Sequence, residues 1–149
     1  MTSLEQLSPA QLARACGEAM WTGDSASRRL GMTLEEISPG SARLTFVITP
    51  EMVNAHGTSH GGLIFALADS AFAFASNSYN NCAVAQHCTI TFVNPAMPGD
   101  RLFAQAREIS RRGSNGIYDV DVTNQNGVQI ALFRGHSRLL RDRRVLVQD

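Results

Sequence analysis

The sequence predicts an α+β domain in which an antiparallel β-sheet wraps around one long central helix. Three observations predict it. The run from Leu63 to Ala75 is apolar on nearly every side of a helix, broken only by Asp69 and Ser70, so other structure has to cover most of its circumference. Two strand candidates precede this run, and four more, punctuated by turn signals, follow it. A buried helix placed between such sets of strands packs as helix on sheet, and nothing in the pattern alternates strand and helix as a parallel sheet requires.

The elements follow in order. Ser8 precedes Pro9 and stands three residues before Gln11, a capping box with proline at the first helical position, which predicts a helix from about Pro9 to Trp21. Thr22 to Ser27 reads as a loop. Gly31 to Ser38 and Ser41 to Thr49 read as strands split by the Pro39-Gly40 turn, and in the second Leu44, Phe46 and Ile48 alternate with Arg43, Thr45 and Val47. Glu51 to Ser59 is a polar loop, and His60-Gly61-Gly62 opens the long helix, which reads as far as about Tyr79. Strands are expected at Ala83 to Val93, Arg101 to Arg112, Ile117 to Asn124 and Val128 to Leu140, with Asn126-Gly127 as a two-residue hairpin turn. Tyr118, Val120 and Val122 form the buried face of the third. Arg141 to Asp149 reads as a mobile tail. The 149 residues form one domain, 1–149, with its core over about 31–140.

Composition excludes several classes of function. Thirteen basic and thirteen acidic side chains cancel, so no global field draws the chain to nucleic acid or to an anionic membrane. Every basic residue is arginine, which removes Schiff-base chemistry and leaves planar guanidinium groups suited to phosphate. Cys16, Cys82 and Cys88 show neither a disulfide framework nor zinc spacing. Together with a start that lacks a secretory pattern, they predict a cytoplasmic protein.

The segment that carries chemistry is Asn54-Ala-His56-Gly-Thr-Ser-His60-Gly61-Gly62-Leu-Ile-Phe65-Ala-Leu67-Ala-Asp69-Ser70. It resembles the signature of hotdog-fold thioesterases, in particular the phenylacetate-degradation (PaaI-type) family. The likeness runs from about Gly31 to Leu140 and includes Phe92 to Pro95 and Ala131 to Gly135. The resemblance implies hydrolysis of an acyl-coenzyme A thioester, with aryl-acetyl or medium-sized acyl groups as substrates and coenzyme A entering only as part of the substrate, without a separate cofactor. It implies that Gly61 supplies a backbone N–H to the thioester carbonyl, that Asp69 is general base or nucleophile, and that Asn54 and His60 orient the thioester or the attacking water. Family members often carry threonine after the acid; this chain has Ser70, which keeps the hydroxyl and loses a methyl group.

The residues support that chemistry on their own terms. Unpaired N–H groups at a helix start are oriented to receive the negative oxygen of a tetrahedral intermediate, so Gly61 and Gly62 are the candidate donors. Asp69 is the one charged group along the apolar run, and burial makes a carboxylate a stronger base. Asp69 lies eight residues beyond Gly61, roughly 12 Å along the axis, too far for one helix to place both at one carbonyl. Two helices antiparallel about a two-fold axis would bring Gly61 of one to Asp69 of the other. A homo-oligomer with shared sites is therefore expected, and the resemblance implies a homotetramer built as a dimer of dimers.

For the nucleotide end, Arg111-Arg112-Gly113-Ser114 offers guanidinium and backbone donors, with Arg138, Arg141, Arg143 and Arg144 as alternatives. Phe65, Phe72 and Phe74 either line an aryl pocket or belong to the core. His56 and His60 stand four apart, but Gly57 and Gly61 place them in a loop and no metal is expected. A hotdog hydratase, or an acyl-CoA sensor without catalysis, are the competing readings. Histidines that precede the acid argue against the first, and the presence of Asp69 against the second.

Overall fold

The computed structural model describes residues 4–147. Helix α1 (Pro9–Gly23) begins with the expected capping box: Ser8 Oγ accepts from the Gln11 N–H at 3.2 Å, and the Ser8 N–H donates to Gln11 Oε1 at 2.9 Å. Its buried residues Ala13, Cys16 and Gly17 are small. A Cβ on Gly17 would lie 3.1 Å from Ile37, so α1 sits tight against strand β1 (Thr33–Ser38).

The expected loop at Thr22–Ser27 is largely helical. Helix α1 runs on to Gly23 and a short helix α2 (Ser25–Arg29) follows at once. Asp24 makes both ends: its N–H donates to Trp21 O at 3.3 Å, and its Oδ1 accepts from the Ser27 N–H at 3.0 Å. A helix this short is too brief to show a 3.6-residue period, which is why the sequence pattern missed it.

Strands β2 (Ser41–Val47), β3 (Asn81–Phe92), β4 (Arg101–Arg112), β5 (Asn115–Thr123) and β6 (Gln129–Arg144) join β1 in one six-stranded sheet of order β1-β2-β4-β5-β6-β3, with every neighbouring pair antiparallel. Two expectations need correction. The β5–β6 turn is wider than two residues, because Asn124 Oδ1 accepts from the N–H groups of Asn126 at 2.9 Å and Val128 at 3.0 Å and gathers the whole loop around itself. The supposed tail is strand as far as Arg144, held by pairing of Arg144 with Asn81 and by the Leu146 N–H donating to Asn80 Oδ1 at 2.7 Å. Gln148 and Asp149 lie outside the described residues.

The central helix α3 (Gly61–Ser76) packs across one face of the sheet and ends, capped by Asn77, before the expected Tyr79. Its Leu67, Phe72 and Phe74 pack into a core with Leu44, Phe46, Leu102, Val120 and Val122. The alternations predicted for β2 and β5 thus face the helix. Coverage is incomplete, however. Leu63, Ala66, Asp69, Ser70 and Ala73, spaced as one face of a helix, remain partly exposed in the single chain. Beside that face runs β3, an edge strand of 12 residues on which Val84 and Phe92 are 46% and 48% exposed. Among the described residues no helix is long and apolar enough to cross a membrane.

Gly135 on β6 lies directly under helix α3: a Cβ there would lie 2.8 Å from the Phe72 ring. Gly135→Ala is therefore expected to destabilise the fold by about 1–3 kcal/mol in denaturant unfolding. Gly23→Ala, at a helical position whose Cβ meets nothing within 4 Å, should leave the midpoint unchanged or raise it slightly.

Candidate active site

The start of α3 is shaped by a histidine cap. His60 Nδ1 accepts from the Gly62 N–H at 2.9 Å, while the His60 N–H donates to Met52 O at 2.7 Å. The Gly62 donor expected for substrate is thus already occupied, and His60 serves as the cap of the helix. The Gly61 N–H, by contrast, has no hydrogen-bond partner among the described residues. A side chain at Gly61 would collide with the Phe92 ring, 2.9 Å from a Cβ, so only glycine lets β3 lie this close to the helix start.

Asn54 works chiefly on its own loop. Its Oδ1 accepts from the His56 N–H at 2.9 Å and the Thr58 N–H at 3.3 Å, and its Nδ2 donates to Thr58 Oγ1 at 3.1 Å. The loop so fixed forms one wall of a hollow of about 410 Å³ that also contains Gly61, Ile64 and Phe92. Asn54 and Gly61 are brought together there, and Asp69 is not among the lining residues.

Asp69 stands halfway along α3. The helix runs antiparallel to β3: Gly61 lies over Phe92 at one end, and at the other Asn77 exchanges hydrogen bonds with Ala83 at 2.9 and 3.0 Å. Midway between those contacts Asp69 faces Cys88, an inward residue of β3 packed against the core. Burial alone pushes the Asp69 carboxyl above the ordinary aspartate value. The Cys88 thiol is raised first by burial and then by the Asp69 charge. Its neighbour His87 points the other way, outward, against His136. The strand alternation that turns Cys88 inward was the available signal.

Ser70, the next residue, bonds to Ser27 of α2, with the two hydroxyl oxygens 2.8 Å apart. Phe65 stacks edge-on against Phe133 with ring centres 5.4 Å apart, and forms an aromatic wall one turn before Asp69. At the far end of the sheet Arg111 is engaged within the chain, its guanidinium 3.5 Å over the Tyr79 ring and 3.4 Å from Glu108 Oε1. Gly113 and Ser114 instead line a basin of about 550 Å³ with Arg138, Arg141, Arg143 and Arg144. Among the described residues no group of three or more His, Cys, Asp or Glu could hold a metal ion.

Comparison with known proteins agrees with this anatomy. Residues 56–131 match the Thioesterase superfamily. The chain is 41% identical over 119 residues to the acyl-coenzyme A thioesterase PaaI of Escherichia coli K12, covering 80% of this chain and 85% of that protein. The solved structure of the E. coli PaaI protein from the phenylacetic acid degradation operon aligns with a TM-score of 0.88 at 38% identity, covering 89% of this chain and 96% of that one. A Streptococcus mutans protein solved with acetyl-CoA bound aligns with a TM-score of 0.73 at 25% identity, covering 76% and 91%. Motif, sheet order and sequence point one way over most of the chain's length, and the protein belongs to the thioesterase superfamily as a hydrolase with the hotdog fold.

Proposed function

We propose that this thioesterase hydrolyses an acyl-coenzyme A to a free acid and coenzyme A at a site shared between two copies of the chain. Asp69 of one copy activates or delivers the attacking oxygen, and the Gly61 N–H of the other receives the carbonyl oxygen. The observation that carries this reading is an acid and a donor left without a hydrogen-bond partner among the described residues of one helix: burial pushes the Asp69 carboxyl up, and no described group bonds the Gly61 N–H.

Two-fold pairing along the unpartnered edge of β3 would continue the sheet across both copies and cover the exposed stripe of α3. The hollow beside Gly61 then faces the partner's mid-helix. Within it the tetrahedral oxygen meets an N–H already oriented at a helix start, a donor commonly worth a factor of roughly 10² to 10³ in rate. The raised Asp69 carboxyl is the better base for it. Phe65 suits an aryl-acetyl or medium-sized acyl group, and the arginine basin with Gly113 and Ser114 suits the phosphates of coenzyme A, which comes as substrate and leaves as product. Pairing two such dimers would give the expected tetramer.

Release of free thiol from a panel of aryl and alkyl acyl-CoAs tests the reading. Asp69→Asn should lose about 10²-fold or more in kcat for every substrate; comparable activity would remove Asp69 from its role. Arg141→Ala combined with Arg143→Ala should raise KM roughly tenfold for acyl-CoA and leave an acyl-pantetheine unaffected.

Mixing Gly61→Pro and Asp69→Asn chains, each inactive alone, should restore about one working site per mixed dimer; no recovery from mixed dimers that form and melt as wild type would contradict the shared arrangement.

Asp69 also ties stability to pH. Because its native pKa lies above its unfolded value, its favourable contribution is complete below about pH 4 and is lost as pH rises through the native pKa. Asp69→Asn should therefore melt with wild type at about pH 4 and at a higher temperature near neutrality. Equal melting temperatures at both pH values would show that burial costs the carboxylate nothing.

A further inference from the structure

Ser70 ends a hydrogen-bond chain that begins outside the catalytic helix, and the chain can run in only one direction. Ser27 on α2 is 3% exposed. Its N–H donates to Asp24 Oδ1 at 3.0 Å and its hydroxyl donates to Asp24 Oδ2 at 2.6 Å. A carboxylate has lone pairs and no proton to give, so the single hydroxyl proton of Ser27 is committed to Asp24. The Ser27 oxygen, 2.8 Å from Ser70 Oγ, has only acceptor capacity left. Ser70 must be the donor in that bond, which leaves its own lone pairs to accept, and it stands next to Asp69 on the partly exposed stripe of α3.

We propose that Asp24 and Ser27 are positioning residues for thioester hydrolysis: they hold Ser70 as an acceptor beside Asp69, so that the attacking water gives one hydrogen bond to each. This rests on the reading of Asp69 as the group that activates water. With both water protons so directed, a lone pair faces the thioester carbon. The oxygen–carbon bond forms as Asp69 takes one proton, and that proton passes to sulfur as the carbon–sulfur bond breaks. The second proton stays on the new carboxyl group until it ionises in solvent. The chain also gives the Ser70 substitution a physical sense. Threonine is stiff about χ1 because of its methyl group, whereas serine is not. Here the restraint that a methyl would supply from within comes from Ser27, on a neighbouring helix.

The test is a double-mutant cycle in kcat and KM for acyl-CoA, with thermal unfolding of each variant. Ser27→Ala should lower kcat by about three- to tenfold at nearly constant KM, the worth of one hydrogen bond in placing the water. It should have no further effect in a Ser70→Ala background, and Ser27→Thr, which keeps the hydroxyl, should restore the rate. A Ser27→Ala loss that persists in full without the Ser70 hydroxyl, or an unchanged kcat, would overturn the proposal. If Ser27→Ala fails to fold, Asp24→Asn takes its place, since asparagine caps a helix as well as aspartate but cannot accept both Ser27 donors on one oxygen pair. Its kcat should fall with Ser70 present and not with Ser70→Ala. Asp69→Asn measured alongside separates the two levels: full activity there ends the reading of Asp69, whereas an inactive Asp69→Asn with additive Ser27 and Ser70 effects ends only the relay.

Discussion

The structure turns on one carboxylate set into an apolar helix that the chain's own sheet covers only in part. Leu67, Phe72 and Phe74 tie α3 into the core, and the opposite stripe with Asp69 and Ser70 stays partly exposed in the single chain. Burying Asp69 without a partner costs stability, and that cost is what raises its affinity for a proton. The long edge of β3 runs beside the same stripe, so one association along it would cover both the sheet edge and the apolar face, as the proposed shared site requires.

The start of α3 obeys a complementary constraint. The helix leaves N–H groups unsatisfied at its first turn, and the chain answers this selectively: His60 takes the Gly62 donor and leaves the Gly61 donor open. Phe92 lies so close that no side chain fits at Gly61, which keeps the open donor on bare backbone. The division of labour between two adjacent glycines thus comes from a cap geometry, and glycine identity alone does not encode it.

Much of the fold was legible because its signals are local. The Ser8–Gln11 capping box, the alternation in β2 and β5 and the all-round apolarity of α3 each state a single element's surroundings. The failures share the opposite character. Arg141 to Arg144 looks like a solvated tail and becomes strand only by pairing with β3. Asp24 to Arg29 lacks length for a period, and its helix is declared by one cap. In the site, the motif puts Asp69 and Gly61 forward as candidates, and their spacing along one helix raises the question of a shared site. The engagement of Arg111 by Tyr79 and Glu108, the facing of Cys88 to Asp69 and the Ser27–Ser70 bond join residues far apart in the chain, and no window of sequence contains them.

The central claim is that the acid and the oxyanion donor of one site come from different copies of the chain. The most direct measurement is a crystal structure with an acyl-CoA analogue in which a methylene replaces the thioester sulfur and the carbonyl is kept. The account predicts the carbonyl oxygen within hydrogen-bond distance of the Gly61 N–H of one copy, with the Asp69 carboxylate of the other facing the carbonyl carbon. A carbonyl bound by groups of a single copy, or held away from every Asp69, would contradict it.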